Sequence, residues 1–232
     1  MLEVRRSLDR GYADHGWLKS YHTFSFADYY DPVYEEFGPL RVINEDRIKP
    51  GKGYDNQPHR DIEILTYVLA GELDHKDSLG NAAVLRPGDV QRLSAGAGVK
   101  QTEFNPSTFQ EVHLLQIWIK PSADGLEPGY EQKRFTVNEK RGRLRLVASR
   151  TGDDGSVRIQ QDVRVYTGFF NAAERVEFEV GKERRAYAHV ASGSIAVNET
   201  RLNAGDGVKI TRPGRFALQS GRDAEILMFD LP

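Results

Sequence analysis

Two short polar clusters bracket the most informative stretch of the chain, Gly51 to Asn105. Gln57-Pro58-His59 stands near its start and Gln101-Thr102-Glu103 near its end. If the two clusters converge, their polar side chains can line the mouth of a ligand site. The sequence between them supplies a way to converge. Glu63-Ile64-Leu65-Thr66-Tyr67-Val68-Leu69 is a β-rich run ending at Ala70-Gly71, and a second turn falls at Pro87-Gly88-Asp89. Strand-like runs cut by such punctuation fold into antiparallel strands joined by tight turns. Folded back, they bring both clusters into one barrel mouth.

Other histidines have chemistry to offer. His15 in Asp14-His15-Gly16-Trp17 and His22 in Tyr21-His22-Thr23-Phe24-Ser25-Phe26 are candidate ligands, or histidines satisfied by hydrogen bonds beside aromatic packing. The alternation of Thr23 and Ser25 with Phe24 and Phe26 predicts a strand, and Asp31-Pro32 a turn. Leu40-Arg41-Val42-Ile43-Asn44 predicts a strand that delivers the chain to the Pro50-Gly51 turn. Val112 to Ile119 alternates apolar residues with His113 and Gln116, the clearest strand pattern in the chain. His113 either points into the site or packs outside it.

The elements must belong to a globular protein. There are 232 residues, 39% hydrophobic and 10% aromatic, enough for one large or two ordinary cores. Thirty-two basic against 34 acidic residues, scattered along the chain, favour neither a nucleic-acid partner nor an anionic membrane. With no cysteine there is no disulfide framework and no thiolate metal site. The first residues lack an apolar signal core, and no run approaches a membrane span, so a cytoplasmic location is expected.

The second half repeats the grammar of the first. Val190-Ala191-Ser192-Gly193-Ser194 echoes Val68-Leu69-Ala70-Gly71-Glu72, and Asn203-Ala204-Gly205-Asp206-Gly207 echoes Arg86-Pro87-Gly88-Asp89-Val90. The predicted fold is therefore all-β, two tandem antiparallel β-barrels. The segment 121–134, rich in Pro, Gly and charge, is the linker candidate, which sets domains at 1–125 and 126–232. No cluster like that at His59 stands at the matching place in the second copy, and His189 falls inside a strand run, so the metal site is expected in the first barrel alone.

Six segments together resemble one known family. Asp14-His15-Gly16-Trp17, His22 to Phe26, Tyr30-Asp31-Pro32, Glu63 to Tyr67, Ser94-Ala95-Gly96-Ala97-Gly98 and Gln116-Ile117-Trp118 look like the pirin family of bicupins. The resemblance implies two cupin domains of the jelly-roll, double-stranded β-helix type, with one mononuclear metal centre in the first. Family members are associated with quercetin 2,3-dioxygenase activity in bacteria and with transcriptional cofactor roles in animals. Carried over residue by residue, the implied ligand set is Gln57, His59, Gln101 and Glu103, with Glu103 as the implied catalytic base. The implied cofactor is one divalent ion, Fe, Mn, Ni, Cu or Zn.

This chain departs from the family pattern at two of those positions. Pirins generally carry His-Pro-His where Gln57-Pro58-His59 stands, and a histidine where Gln101 stands. Carboxamide oxygen is a neutral, weak, hard donor, which lowers affinity and shifts preference toward Mn²⁺ or Mg²⁺. The expectation is a module that binds a small aromatic ligand or a protein partner, with weak or no metal binding. The alternative is a metal-dependent quercetin 2,3-dioxygenase acting on flavonols. Phe104, Val99 and Tyr54 are the expected walls for a flat ligand.

Overall fold

The computed structural model describes residues 2–232, nearly all of them β or connecting structure. It divides into two compact units. One comprises Gly11–Arg134 with Val157–Gln161, and the other comprises the residues up to Arg10, Phe135–Ser156 and Asp162–Pro232. The sequence drew a single cut at 125/126, but the main division falls at 134/135. Gly129–Arg134 is a strand paired with Asp89–Ser94, so the last six residues of the expected linker are part of the first unit's sheet. The first strand, Leu2–Arg5, pairs with Gly207–Ile210 in the second unit. Asp206 secures it, accepting from Ser7 N at 2.7 Å and Arg6 Nη1 at 2.8 Å. Such exchanges leave no local sequence signal.

Among the described residues, the first unit holds a seven-stranded and a four-stranded sheet, all neighbours antiparallel. The larger runs in the order Gly129–Arg134, Asp89–Ser94, Glu63–Ala70, Val112–Ile119, Leu40–Ile48, Leu18–His22, Gly11–Asp14. The smaller runs Gly53–His59, Val99–Phe104, Leu73–Asp77, Ala82–Leu85. Neither sheet closes on itself, so the expected barrels are double-sheet jelly rolls of the cupin kind. The predicted strand through Phe26 stops at His22, because Ala27 turns the chain at φ 49° and Phe26 pairs only with Tyr29.

Alternation along these strands sorts the interior into layers. On Glu63–Ala70, Ile64, Thr66 and Val68 share one face; on Val112–Ile119, so do Leu114, Gln116 and Trp118. Val68 and Leu114 join Leu18, Ile48, Leu73 and Leu85 in one apolar cluster. Ile64 joins Ile62, Leu93, Ala95 and Val99 in another, against which Trp118 packs. Between the two clusters the same faces carry Thr66, Gln91, Gln101, Glu103 and Gln116, all buried. Burying polar side chains between apolar layers is tolerated only where they bond one another or a ligand.

An apolar core of the second unit is built largely on Arg185–Val197 and Gly214–Leu231, which pair along their length. His189 is also fully buried, but it alternates with the core residues Ala188 and Val190 and so lies on the other face of its strand.

Candidate metal and ligand site

A β-bulge makes the site. Strand Gly53–His59 pairs Gln57 with Gln101 but Tyr54 with Glu103, so Asp55 and Asn56 together face Thr102. Tyr54 and Gln57 are three apart, and strict alternation would put them on opposite faces. The extra residue corrects the phase, so Tyr54, Gln57 and His59 line one cavity. Asn56 takes the left-handed conformation (φ 52°) that this requires. Thr102 pins it, accepting from Asn56 N at 3.2 Å and donating to Asp55 Oδ1 at 3.1 Å. Gly53 lets the strand close on its neighbour, since a Cβ there would lie 2.1 Å from Glu103 O. Pro58 costs no ladder bond of an interior strand, because Gly53–His59 is an edge.

Of the four residues predicted from the family pattern, Gln57, His59 and Gln101 come together, and Glu103 lies two residues farther along the strand of Gln101. Gln101 Nε2 lies 3.1 Å from His59 Nε2. A carboxamide nitrogen only donates, so His59 Nε2 accepts and the imidazole proton sits on Nδ1. Burial holds the His59 pKa below its ordinary value, in keeping with a neutral ring. The lone pair that would face a metal is thus taken by Gln101. The carboxamide oxygens Gln57 Oε1 and Gln101 Oε1 are buried without a hydrogen-bond partner.

Glu103 sits behind them in the polar layer. Its oxygens accept from Thr66 Oγ1 at 3.3 Å and Gln116 Nε2 at 2.9 Å, and Gln116 Oε1 accepts from Trp118 Nε1 at 3.0 Å. Burial, helped by the nearby Asp46 charge and opposed by those two donors, pushes its pKa up to about 7. A carboxyl so placed exchanges a proton near neutrality.

The cavity in front measures about 730 Å³. Phe26, Trp118 and His59 follow one another along its lining, with ring centroids 5.4 Å apart at each edge-on step. Trp17 and Tyr54 form a second aromatic pair at 5.2 Å. Of the walls expected from sequence only Tyr54 is correct. Val99 is absorbed in the apolar cluster and Phe104, 40% exposed, points off the outer face of its strand. His15 lines the cavity. His22 does too, and it is also a packed histidine, with Nδ1 2.9 Å from Asn44 Oδ1 and its ring 5.2 Å from Phe26. His113 lies away from the cavity lining, with Nε2 2.9 Å from Glu45 Oε1.

Sequence reasoning missed Asp46, Asn44, Ser20 and Gln116, all in the cavity lining. Their signal was present but weak: buried polar residues on the strand runs beginning at Leu18, Leu40 and Val112, in phase with the inward apolar ones. Asp46 is 2% exposed, accepts from Ser20 Oγ and Tyr54 OH, and is pushed up to about 6, chiefly by burial.

Known proteins share this fold. A sequence profile described as Pirin matches residues 2–119, and one described as Quercetinase C-terminal cupin domain matches 146–231. The chain belongs to the pirin family. Among its pirin relatives, the quercetin 2,3-dioxygenase of Escherichia coli K12 is 41% identical over 232 residues, covering 100% of this chain and 99% of the relative. A pirin-like protein of Caulobacter vibrioides is 40% identical over 230 residues, covering 97% and 98%. The crystal structure of the E. coli pirin YhhW in complex with nickel(II) superposes with a TM-score of 0.95 at 41% identity, covering 100% and 99% of the two chains. Both units of this pirin are therefore cupins.

The donors of this pirin fit a divalent cation. They are one imidazole nitrogen, two carboxamide oxygens lacking partners and one carboxylate. No group of three or more His, Cys, Asp or Glu side chains placed to hold a metal occurs among the described residues. No helix among them is long and apolar enough to cross a membrane.

Proposed function

We propose that the first cupin binds a flat hydroxylated aromatic beside a loosely held divalent ion, and that oxidation of the quercetin 2,3-dioxygenase type is slow unless that ion is supplied. The observation that carries this reading is the Gln101–His59 hydrogen bond with the two unpartnered carboxamide oxygens beside it. A cation must displace that bond. A half-turn of the Gln101 amide would do so, exchanging Nε2 for Oε1 and leaving two donor atoms side by side.

His59, Gln57, Gln101 and Glu103 are the residues that would hold the ion, which when bound supplies Lewis acidity to a chelating hydroxyl and ketone. The chain's own contribution is separate. Phe26, Trp118, Trp17 and Tyr54 offer apolar faces to a flat ring and exclude water. Glu103, with its pKa near 7, accepts the hydroxyl proton.

A fully competent dioxygenase is the second reading, favoured by the name of the 41% identical relative. One assay separates the two. Chelator-treated protein is mixed with quercetin, binding is read from tryptophan quenching, and quercetin loss is followed with and without added Mn²⁺, Fe²⁺ or Ni²⁺. Binding without turnover, then turnover on addition of metal, is expected. Full turnover by protein as purified favours the second reading, and absence of quercetin binding contradicts both.

A further inference from the structure

The cavity has a second polar pole that the metal-binding residues do not use. Ser20 and His22 on strand Leu18–His22 pair in register with Asp46 and Asn44 on Leu40–Ile48, and all four side chains line the cavity. They are linked: Ser20 Oγ donates to Asp46 Oδ1 and lies 3.4 Å from His22 Nδ1, which is 2.9 Å from Asn44 Oδ1. Tyr54 OH donates to Asp46 from the opposite sheet. From this pole the aromatic lining runs by His22, Phe26 and Trp118 to His59, each ring centroid 5.2 to 5.4 Å from the next. A flat ligand lying along that wall reaches both ends.

The chemistry of the second pole selects what the outer end of that ligand can be. A carboxylate offers about four acceptor positions and no donor. Ser20 and Tyr54 fill two on Asp46, which leaves acceptor capacity on a side chain 2% exposed in a cavity wall. Burying such capacity without a donor is unfavourable, and a second anion there would be repelled. The complementary group is a neutral hydroxyl.

We infer that Asp46, held by Ser20 and Tyr54, accepts a hydrogen bond from a phenolic hydroxyl on an outer ring of the ligand, and so selects polyhydroxylated aromatics over bare or carboxylated ones. This rests on the aromatic-ligand reading above and adds the residue that sets its specificity. A site built to bond a hydroxyl discriminates strongly against the analogue that lacks it, because its own polar group is then left unpaired.

The test compares quercetin with unsubstituted flavonol, which keeps the chelating hydroxyl and ketone but has no outer hydroxyls. Affinities are read from quenching of Trp17 and Trp118 in the intact protein. Wild type should prefer quercetin by about tenfold or more, and Asp46→Asn should reduce that ratio to about twofold. Ser20→Ala and Tyr54→Phe each remove a donor that holds Asp46 in place, so each should lower the ratio, by about twofold or more; they decide the matter should Asp46→Asn fail to fold. An unchanged ratio in folded Asp46→Asn, or an unchanged ratio in both other variants, overturns the inference. Asp46-dependent binding with no turnover under any metal overturns the dioxygenase chemistry alone. Turnover with an Asp46-independent ratio overturns this inference alone, and a wild type that binds neither compound overturns both.

Discussion

Gln101 Nε2 donates to His59 Nε2 across 3.1 Å, so the carboxamide occupies the imidazole lone pair that faces it. On the function proposed above, a carboxamide in place of an imidazole and the engagement of its neighbour both weaken the hold on a metal. The strand pairing that sets Gln57 beside Gln101 leaves both carboxamide oxygens turned into the interior without a donor.

The tautomer follows directly from this contact. In the metal-free protein, nitrogen NMR should find His59 neutral with its proton on Nδ1. Gln101→Glu, which sets a carboxylate against the ring, should raise the His59 pKa above its wild-type value, by about one unit or more. A His59 that is unaffected by this change does not touch Gln101.

Glu103 gives a pH dependence of defined sign. Its pKa is raised from 4.5 to about 7 in the folded chain, so between those values the native state binds more protons than the unfolded state. The stabilisation is present in full below about 4.5 and is lost as pH rises through about 7. Glu103→Gln should remove a decline of order 2–3 kcal/mol from the urea stability of chelator-treated protein across that window. A wild-type stability that rises over the same window contradicts the burial of Glu103.

Gly53 is fixed by proximity. A Cβ at this position would collide with the backbone of Glu103 and Phe104, which no rotamer change relieves. Gly53→Ala should cost about 1–3 kcal/mol in urea denaturation and weaken ligand binding by shifting Tyr54, Gln57 and His59 together. A neutral substitution would mean that the two strands are not so closely paired.

What could be read from the sequence was whatever alternates. Val112–Ile119 was legible because its apolar residues keep period two, and Glu63–Ala70 because β-branched and aromatic residues crowd it between turns. The bulge at Asn56 was not, since Asp55-Asn56 looks like any polar pair and only the pairing shows two residues facing one. The ligand set was reached through family resemblance, and Gln116 and Asp46 were missed because a polar residue in phase with apolar ones reads as an interruption rather than a wall. The unit boundary was misplaced because Leu2–Arg5 and Gly129–Arg134 are assigned by their partners, not by their own composition.

The weakness of the metal centre is the central claim, and calorimetric titration of chelator-treated protein with Ni²⁺ and Mn²⁺ tests it most directly. Wild type should bind both weakly, with Ni²⁺ showing little advantage over Mn²⁺, because one masked imidazole contributes. Gln57→His with Gln101→His should bind Ni²⁺ tighter by several orders of magnitude, each imidazole adding a strong bond at a site already formed. One tightly held Ni²⁺ per wild-type chain, retained through chelator dialysis and little improved by the double substitution, would contradict the account.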